Sequence, residues 1–284
     1  MITIEQLRYV RFGTADLAGA TDFAERILGL QLIDKDEDQA FFRSDYRDHT
    51  LVFVKGADPS GAIGMEVRDL ETLDQAASLL QSQGYCVSRG DAAAAAQRKV
   101  KHVLSFSDNS GNAFELVVRP LQSGWRYFAS RDAGVIGLEA VAVRSTAIAA
   151  DEKLWTTVFN GCVSDWVGDA AYIRFDDSHH RLALHPSGKP GVLAVEYGVE
   201  DVDLLMQNSY FLRLAQVSIM DGPGRRPTSG QLFLTFAGPG EALFSYVAEG
   251  AKIAKGASHR PRQFPKTRVS FCCWGSDCHV PEMS

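Results

Sequence analysis

The chain is short of the features that would classify it quickly. No stretch approaches the roughly 20 apolar residues a membrane-spanning helix needs, so no membrane partner is expected. Lys and Arg form no run along a helix and the net charge is −6, which argues against nucleic acid. Met1 to Tyr9 lacks the charged-then-apolar pattern of a secretory leader. Cysteine is sparse: Cys86, Cys162, Cys272, Cys273 and Cys278 make an odd count of 5 without framework spacing. A reduced, cytoplasmic setting is expected. The tail group Cys272, Cys273, Cys278 and His279 matches no paired C-x-x-C arrangement, so these read as incidental thiols rather than a zinc site. The motifs SxxK, HExxH, GxSxG and GxxxxGK[ST] are absent, and the chemistry each carries finds no support.

What is present is an ordinary globular composition, 45% hydrophobic and 23% charged over 284 residues, enough for two domains. The chain also repeats itself. FFRSDYRDHTLVFV (Phe41 to Val54) aligns without a gap on YIRFDDSHHRLALH (Tyr172 to His185), matching Arg43 with Arg174, Asp45 with Asp176, His49 with His180 and Leu51 with Leu182. Each is preceded by a short strand and a helix. The first helix carries Ala20, Phe23, Ala24, Ile27 and Leu28 at helical spacing, and the second carries Ile148, Leu154, Trp155, Val158 and Phe159.

A second kind of unit follows each of these. GAIGME from Gly61 and GVLAVE from Gly191 share Gly-x-apolar-small-apolar-Glu, pairing Glu66 with Glu196, then an acidic turn and a helix. Both close on a glycine turn and a strand, GNAFELVV at Gly111 and GEALFSYV at Gly240. The simplest account is an α+β fold of four βαβββ modules, paired into two half-open barrel domains. Residues 1–120 form the first domain, 121–134 a linker, 135–250 the second domain and 251–284 a tail. The barrel interiors are where small ligands are expected. Trp125 and Tyr127 of the linker read as packing residues, and the alanine run at Asp91 as a surface helix or loop.

DSHHRLAL (Asp177 to Leu184) resembles the His-His strand of type I extradiol ring-cleavage dioxygenases, such as those that cleave 2,3-dihydroxybiphenyl. RPRQFP (Arg260 to Pro265), SFCCWGS (Ser270 to Ser276) and FSDNSGNAFEL (Phe106 to Leu116) are similar to that family's tail and first-domain closing segment. The order of these motifs extends the likeness over nearly the whole chain, within the vicinal oxygen chelate (glyoxalase/bleomycin resistance) superfamily. The resemblance implies iron(II) or manganese(II) held by two His and one carboxylate in the second domain, from its first strand, its fifth-strand equivalent and its closing strand. Matching the repeats sets those positions at Ala140, Ala194 and Phe244. None of the three offers a lone pair, so the expectation is that no metal is bound.

Glu196, two residues from Ala194 and on the same strand face, is the best substitute ligand, although Glu66 holds its place in the first domain. His180 corresponds to the residue that serves the family as acid/base, a task suited to histidine near neutral pH. His179 is expected to point away, as structure or surface. Arg226 or Arg225 would suit an anionic group, although a solvated pair on a loop is the plainer reading. The cavity candidates are therefore Ala140, Ala194, Phe244, Glu196 and Arg226, with His180 as the one catalytic candidate.

The resemblance then implies a non-ring-cleaving homologue in aromatic-compound catabolism, binding an aromatic or polycyclic ligand. It implies a homo-oligomer, with an active paralogue as a further potential partner. The alternative is an active enzyme on a catechol-like substrate, using metal-independent or atypically ligated chemistry with His180 as acid/base. A resistance-type sequestering protein is disfavoured by the two-domain length and the tail.

Overall fold

The computed structural model describes residues 1–254 and 256–284. The first module runs β1 (Gln6–Thr14), α1 (Leu17–Asp22, continued by a wider turn over Phe23–Ile27), β2 (Gln31–Lys35), β3 (Gln39–Arg43) and β4 (Leu51–Lys55). The second runs β5 (Ala62–Glu66), α2 (Leu70–Ser82), β6 (Val87–Arg89), α3 (Ala92–Ala96), β7 (His102–Ser107) and β8 (Ala113–Val118). β9 (Val135–Ser145), α4 (Ile148–Thr157), β10 (Cys162–Val167), β11 (Ala170–Arg174) and β12 (Leu182–Pro186) form the third. The fourth has β13 (Gly191–Val199), α5 (Val202–Leu214), β14 (Ile219–Arg225), β15 (Leu232–Ala237) and β16 (Leu243–Ala248). All four modules follow βαβββ, the second with α3 inserted between β6 and β7. The internal repeat is literal: β3 and β11 end at Arg43 and Arg174, and β4 and β12 begin at Leu51 and Leu182.

Local chemistry explains where the helices start. Asp69 and Asp201 precede α2 and α5, and their side chains accept from the backbone N–H groups of Thr72 and Leu204. Such a cap satisfies one of the otherwise orphaned N-terminal donors.

Two sheets result. The first has 8 strands in the order β2-β3-β4-β1-β5-β8-β7-β6. The second has 9, in the order β14-β15-β16-β13-β9-β12-β11-β10-β17, where β17 (Arg262–Phe264) comes from the tail. The modules of each half meet through an antiparallel pair, β1 with β5 and β9 with β13. Strand residues alternate between a barrel interior and a helix-covered outside.

The outside faces of both sheets belong to one core. Phe23 from the first half packs on Phe236 and Phe244, with ring centroids 6.4 and 5.2 Å apart. Trp155 of α4 packs on Phe114 of β8 at 4.7 Å. The two halves therefore share their apolar layer.

Both barrels are plugged. The alanine segment is not a bare surface feature: α3 buries Ala95 against Tyr9, Val103 and Val117 in the first barrel. In the second, the tail does more than trail. Asp165 of β10 registers with Arg262 of β17, and Phe271, Val280 and Met283 enter the interior beside Ala142, Ala194 and Leu243. Partly buried ion pairs hold this segment, Arg268 with Asp221 and Arg144 with Glu282, the latter at 2.9 Å. The linker's Trp125 lies open, 83% exposed, rather than packed. Five free cysteines are spread over the chain, and among the described residues no helix is long and apolar enough to cross a membrane.

Candidate functional site

The strand register locates the positions that the repeat could only approximate. Counted back from the capping aspartates, Glu196 lies five residues before Asp201, as Gly64 does before Asp69. Each closing strand is followed by a left-handed residue, Arg119 at φ 49° and Glu249 at φ 57°, so Ser245 matches Glu115. The ladders agree. Tyr9 pairs with Gly64 and Gly64 with Glu115 in the first half; Ala140 pairs with Glu196 and Glu196 with Ser245 in the second.

The three-strand row of the second barrel is therefore Ala140, Glu196 and Ser245. Of the residues expected there, Ala140 lies in this row. Ala194 faces the same interior but is paired with Ala142 and Leu243, one row along. Phe244 faces the other way, into the shared core against Phe12 and Phe23. The cause is a turn after Gly240 that is one residue longer than the turn after Gly111, and a one-residue slip in a strand exchanges its faces.

Glu196 is fully enclosed and meets Arg226 at 2.7 Å. Arg226 is not a solvated loop residue; it is 6% exposed, donates to Gln231 at 2.6 Å and lies over the Phe233 ring. Burial opposes ionisation of Glu196, yet Arg226 and His180 hold it well below the usual carboxylate range. Burial likewise lowers Arg226, but Glu196 more than offsets this.

His180 is also enclosed. Its Nε2 lies 3.6 Å from Glu196 Oε2, too far for a hydrogen bond, and both atoms lack a partner. His179 was expected to point away; instead it is buried, with Nδ1 3.1 Å from His180 Nδ1 and Nε2 3.0 Å from Asp165 Oδ2. Strand alternation does not govern this pair because the segment from Phe175 to Arg181 is a loop. Burial, together with His180, pushes His179 down to about 4, so its ring is neutral near pH 7. A neutral His179 donating to Asp165 leaves Nδ1 to accept the His180 Nδ1 proton. The His180 Nε2 edge then faces the Glu196 carboxylate. Arg262 donates to Asp165 Oδ2 at 2.6 Å from a half-exposed position, completing a line from solvent to interior. Asp165 titrates below its ordinary value: burial works against this, and the hydrogen bonds from Arg262 and His179 prevail.

His185, which nothing in the repeat singled out, joins the wall opposite, its ring 5.9 Å from Tyr172. Burial, then Arg226, takes it down to about 4. Glu196, Arg226, His185, Tyr172 and the tail's Phe271 and Met283 enclose a space of only ≈ 10 Å³. That is about the size of one water.

The first barrel carries a parallel arrangement. Tyr9 donates to Glu115 at 2.7 Å, and Arg98 holds the same carboxylate at 2.7 Å. Gly64 has no room for a side chain, since a Cβ would lie 2.4 Å from the Tyr9 ring. Each barrel thus places one carboxylate in its central row and one guanidinium on it.

Residues 6–116 match the family described as Glyoxalase/Bleomycin resistance protein/Dioxygenase superfamily, and the chain carries a domain of that superfamily. A biphenyl-2,3-diol 1,2-dioxygenase of Pseudomonas sp. (strain KKS102) is 30% identical over 122 residues, 43% of this chain and 42% of that protein. The chain thus matches about two fifths of that curated relative's length. An iron-dependent extradiol dioxygenase of Rhodococcus jostii (strain RHA1) is 24% identical over 98% of this chain and 99% of its own. Over its full length the chain has the two-domain extradiol dioxygenase/glyoxalase fold. It superposes on the Mn(II)-bound glyoxalase from Novosphingobium aromaticivorans with TM-score 0.88 at 22% identity, covering 100% of this chain and 94% of that one.

Iron and Mn(II) are the metals named in these relatives. The central row of the second barrel does not fit a two-His-one-carboxylate centre. It offers a methyl group, a carboxylate held by Arg226, and a hydroxyl 2.8 Å from that of Thr235. A fixed guanidinium beside Glu196 also repels a dication.

Proposed function

We propose that this chain is a non-ring-cleaving homologue of the extradiol dioxygenases of aromatic catabolism. Its second barrel, within residues 135–250, has exchanged a metal for an internal ion pair. The observation that carries this reading is Glu196 bound to Arg226 in the central row, with Ala140 and Ser245 on either side. The guanidinium supplies the positive charge that neutralises the buried carboxylate. The partner this fold suggests is a small aromatic molecule, recognised by Tyr172, Phe233, His180 and His185. With ≈ 10 Å³ free, such a ring enters only as Phe271 and Met283 move aside.

Anaerobic reconstitution with Fe(II) or Mn(II), followed by metal analysis and oxygen uptake with catechol and 2,3-dihydroxybiphenyl, tests the reading. Substoichiometric metal and no ring cleavage are expected. One tightly held ion per chain together with oxygen uptake overturns it.

A second reading follows from the Asp165, His179 and His180 line. Asp165 and His179 orient His180 so that its Nε2 edge is available beside Glu196, the arrangement a proton-transferring base requires. Its test is turnover of a panel of catabolic diols without added metal. An unchanged rate in His180→Ala removes His180 from any such chemistry.

A further inference from the structure

The outward side of α5 is bare. Leu205, Asn208, Ser209 and Leu212 are buried against the second sheet, whereas Met206, Tyr210 and Leu214 are 48%, 66% and 66% exposed. These three sit four residues apart and so form one stripe along the helix. Three large apolar side chains in a continuous exposed row differ from the scattered singles of an ordinary surface.

The same face carries a charge at each end. Asp203 and Arg213 are both exposed, and among the described residues neither has an oppositely charged partner within 4.0 Å. Asp203, Met206, Tyr210 and Arg213 follow alternating steps of three and four residues, the spacing of a helix–helix seam. Their positions are also symmetric about Asn208. When two copies of α5 run antiparallel around a two-fold axis that crosses the exposed face level with residue 208, Asp203 meets Arg213 of the second copy and Met206 meets Tyr210. A parallel arrangement would set Asp203 against Asp203 and Arg213 against Arg213, which repels at both ends.

We infer that α5 is the surface through which two copies of this chain associate, antiparallel and two-fold symmetric. Met206 and Tyr210 form the apolar centre, and Asp203 with Arg213 sets the direction. A C₂ contact of this kind is self-complementary, as the mirrored positions require. The seam is one helix of 13 residues, about 20 Å long. It is small, so the dimer is reversible rather than obligate.

Both charges also suit the helix dipole, acidic at the start and basic at the end, but a role in helix stability alone predicts no rescue of association by a double charge reversal. The experiment separates the two roles. Sedimentation velocity on the intact chain, from about 1 to about 100 μM, is expected to show a dimer fraction that rises with concentration. Tyr210→Glu stays monomeric throughout, with its circular dichroism melt confirming a folded chain; Met206→Gln serves if that variant fails to fold. Asp203→Arg and Arg213→Asp each weaken association by about tenfold, and the double reversal returns to within about threefold of the parent. A monomeric parent at the highest concentration overturns the inference. So does a Tyr210→Glu dimer, or a double reversal no better than either single change.

Discussion

Glu196 and Arg226 meet at 2.7 Å in the interior of the second barrel, one on β13 and one just past β14, both almost wholly shielded from solvent. Desolvating two charges costs several kcal/mol for each ion, and their mutual attraction offsets this only while both are present. Glu196→Gln or Arg226→Met therefore strands a buried charge and is expected to cost about 3–5 kcal/mol. The double change Glu196→Leu with Arg226→Met leaves no charge behind and recovers most of that loss. Urea denaturation of the three variants checks this. A double variant as unstable as the worse single one would mean that the pair itself, rather than the stranding of one partner, supports the barrel.

The buried histidines make stability depend on pH in a defined window. His179 and His185 are both lowered to about 4, principally by burial, whereas an unfolded chain binds these protons near 6.5. Between those values the unfolded state holds more protons than the folded one. Stability is therefore fully present above about pH 6.5 and falls as pH drops toward 4. The depressed carboxylates of Glu196 and Asp165 add their own loss only below about pH 4, so the two effects separate. Urea midpoints at about pH 7.5, 6 and 5 should fall progressively. A flat response would show that neither ring is held neutral.

The register offers its own test. In an Arg226→Ala background, the changes Ala140→His, Glu196→His and Ser245→Glu put three donors on adjacent strands of one row. This variant is expected to bind about one Mn(II) per chain, read by metal analysis after gel filtration. The matching set at Ala140, Ala194 and Phe244 binds none and destabilises the chain, because a carboxylate at Phe244 enters the shared aromatic core. Equal metal binding by the two sets would reject the assignment of Ser245.

The tail is part of the second barrel's interior. Phe271 is 5% exposed and packs with Ala194, Leu243 and Met283. Phe271→Ala is expected to cost about 3–5 kcal/mol, as for other buried phenylalanines. It should also open room beside His185 for a small aromatic probe, seen as a rise in melting temperature with indole or phenol. A loss below about 1 kcal/mol would mean the segment only rests on the surface.

Much of the architecture is legible in the sequence. The gapless match of Phe41–Val54 with Tyr172–His185 rests on side-chain alternation and turn residues, which are local properties. The structure ends β3 and β11 at the matched arginines. The central row was harder to read. Glycine turns are poor rulers, since one extra residue after Gly240 alters nothing in the local pattern yet exchanges Phe244 for Ser245. The capping aspartates Asp69 and Asp201 are better rulers, because each is tied by hydrogen bonds to a helix start. Counting back from them would have placed Glu196 in the row from sequence alone. The burial of Arg226, a cavity candidate that also reads as a loop residue, and of His179 is illegible for a different reason. Their burial depends on Glu196 and Asp165, which lie 30 and 14 residues away, and on a tail whose path no local pattern encodes.

β16 presents two surfaces with unrelated duties. Phe244 and Tyr246 point outward and bind the halves together, Tyr246 donating to the carbonyl of Ile27 at 2.9 Å. Leu243 and Ser245, on the opposite surface, face the barrel interior, Leu243 among Ala142, Ala194 and Phe271 and Ser245 beside Thr235. Inherited changes at the inward positions therefore leave the joint between halves undisturbed. Such a lineage can gain or discard a reactive centre without risking its shape, and relatives of this chain can keep its outline while differing in chemistry.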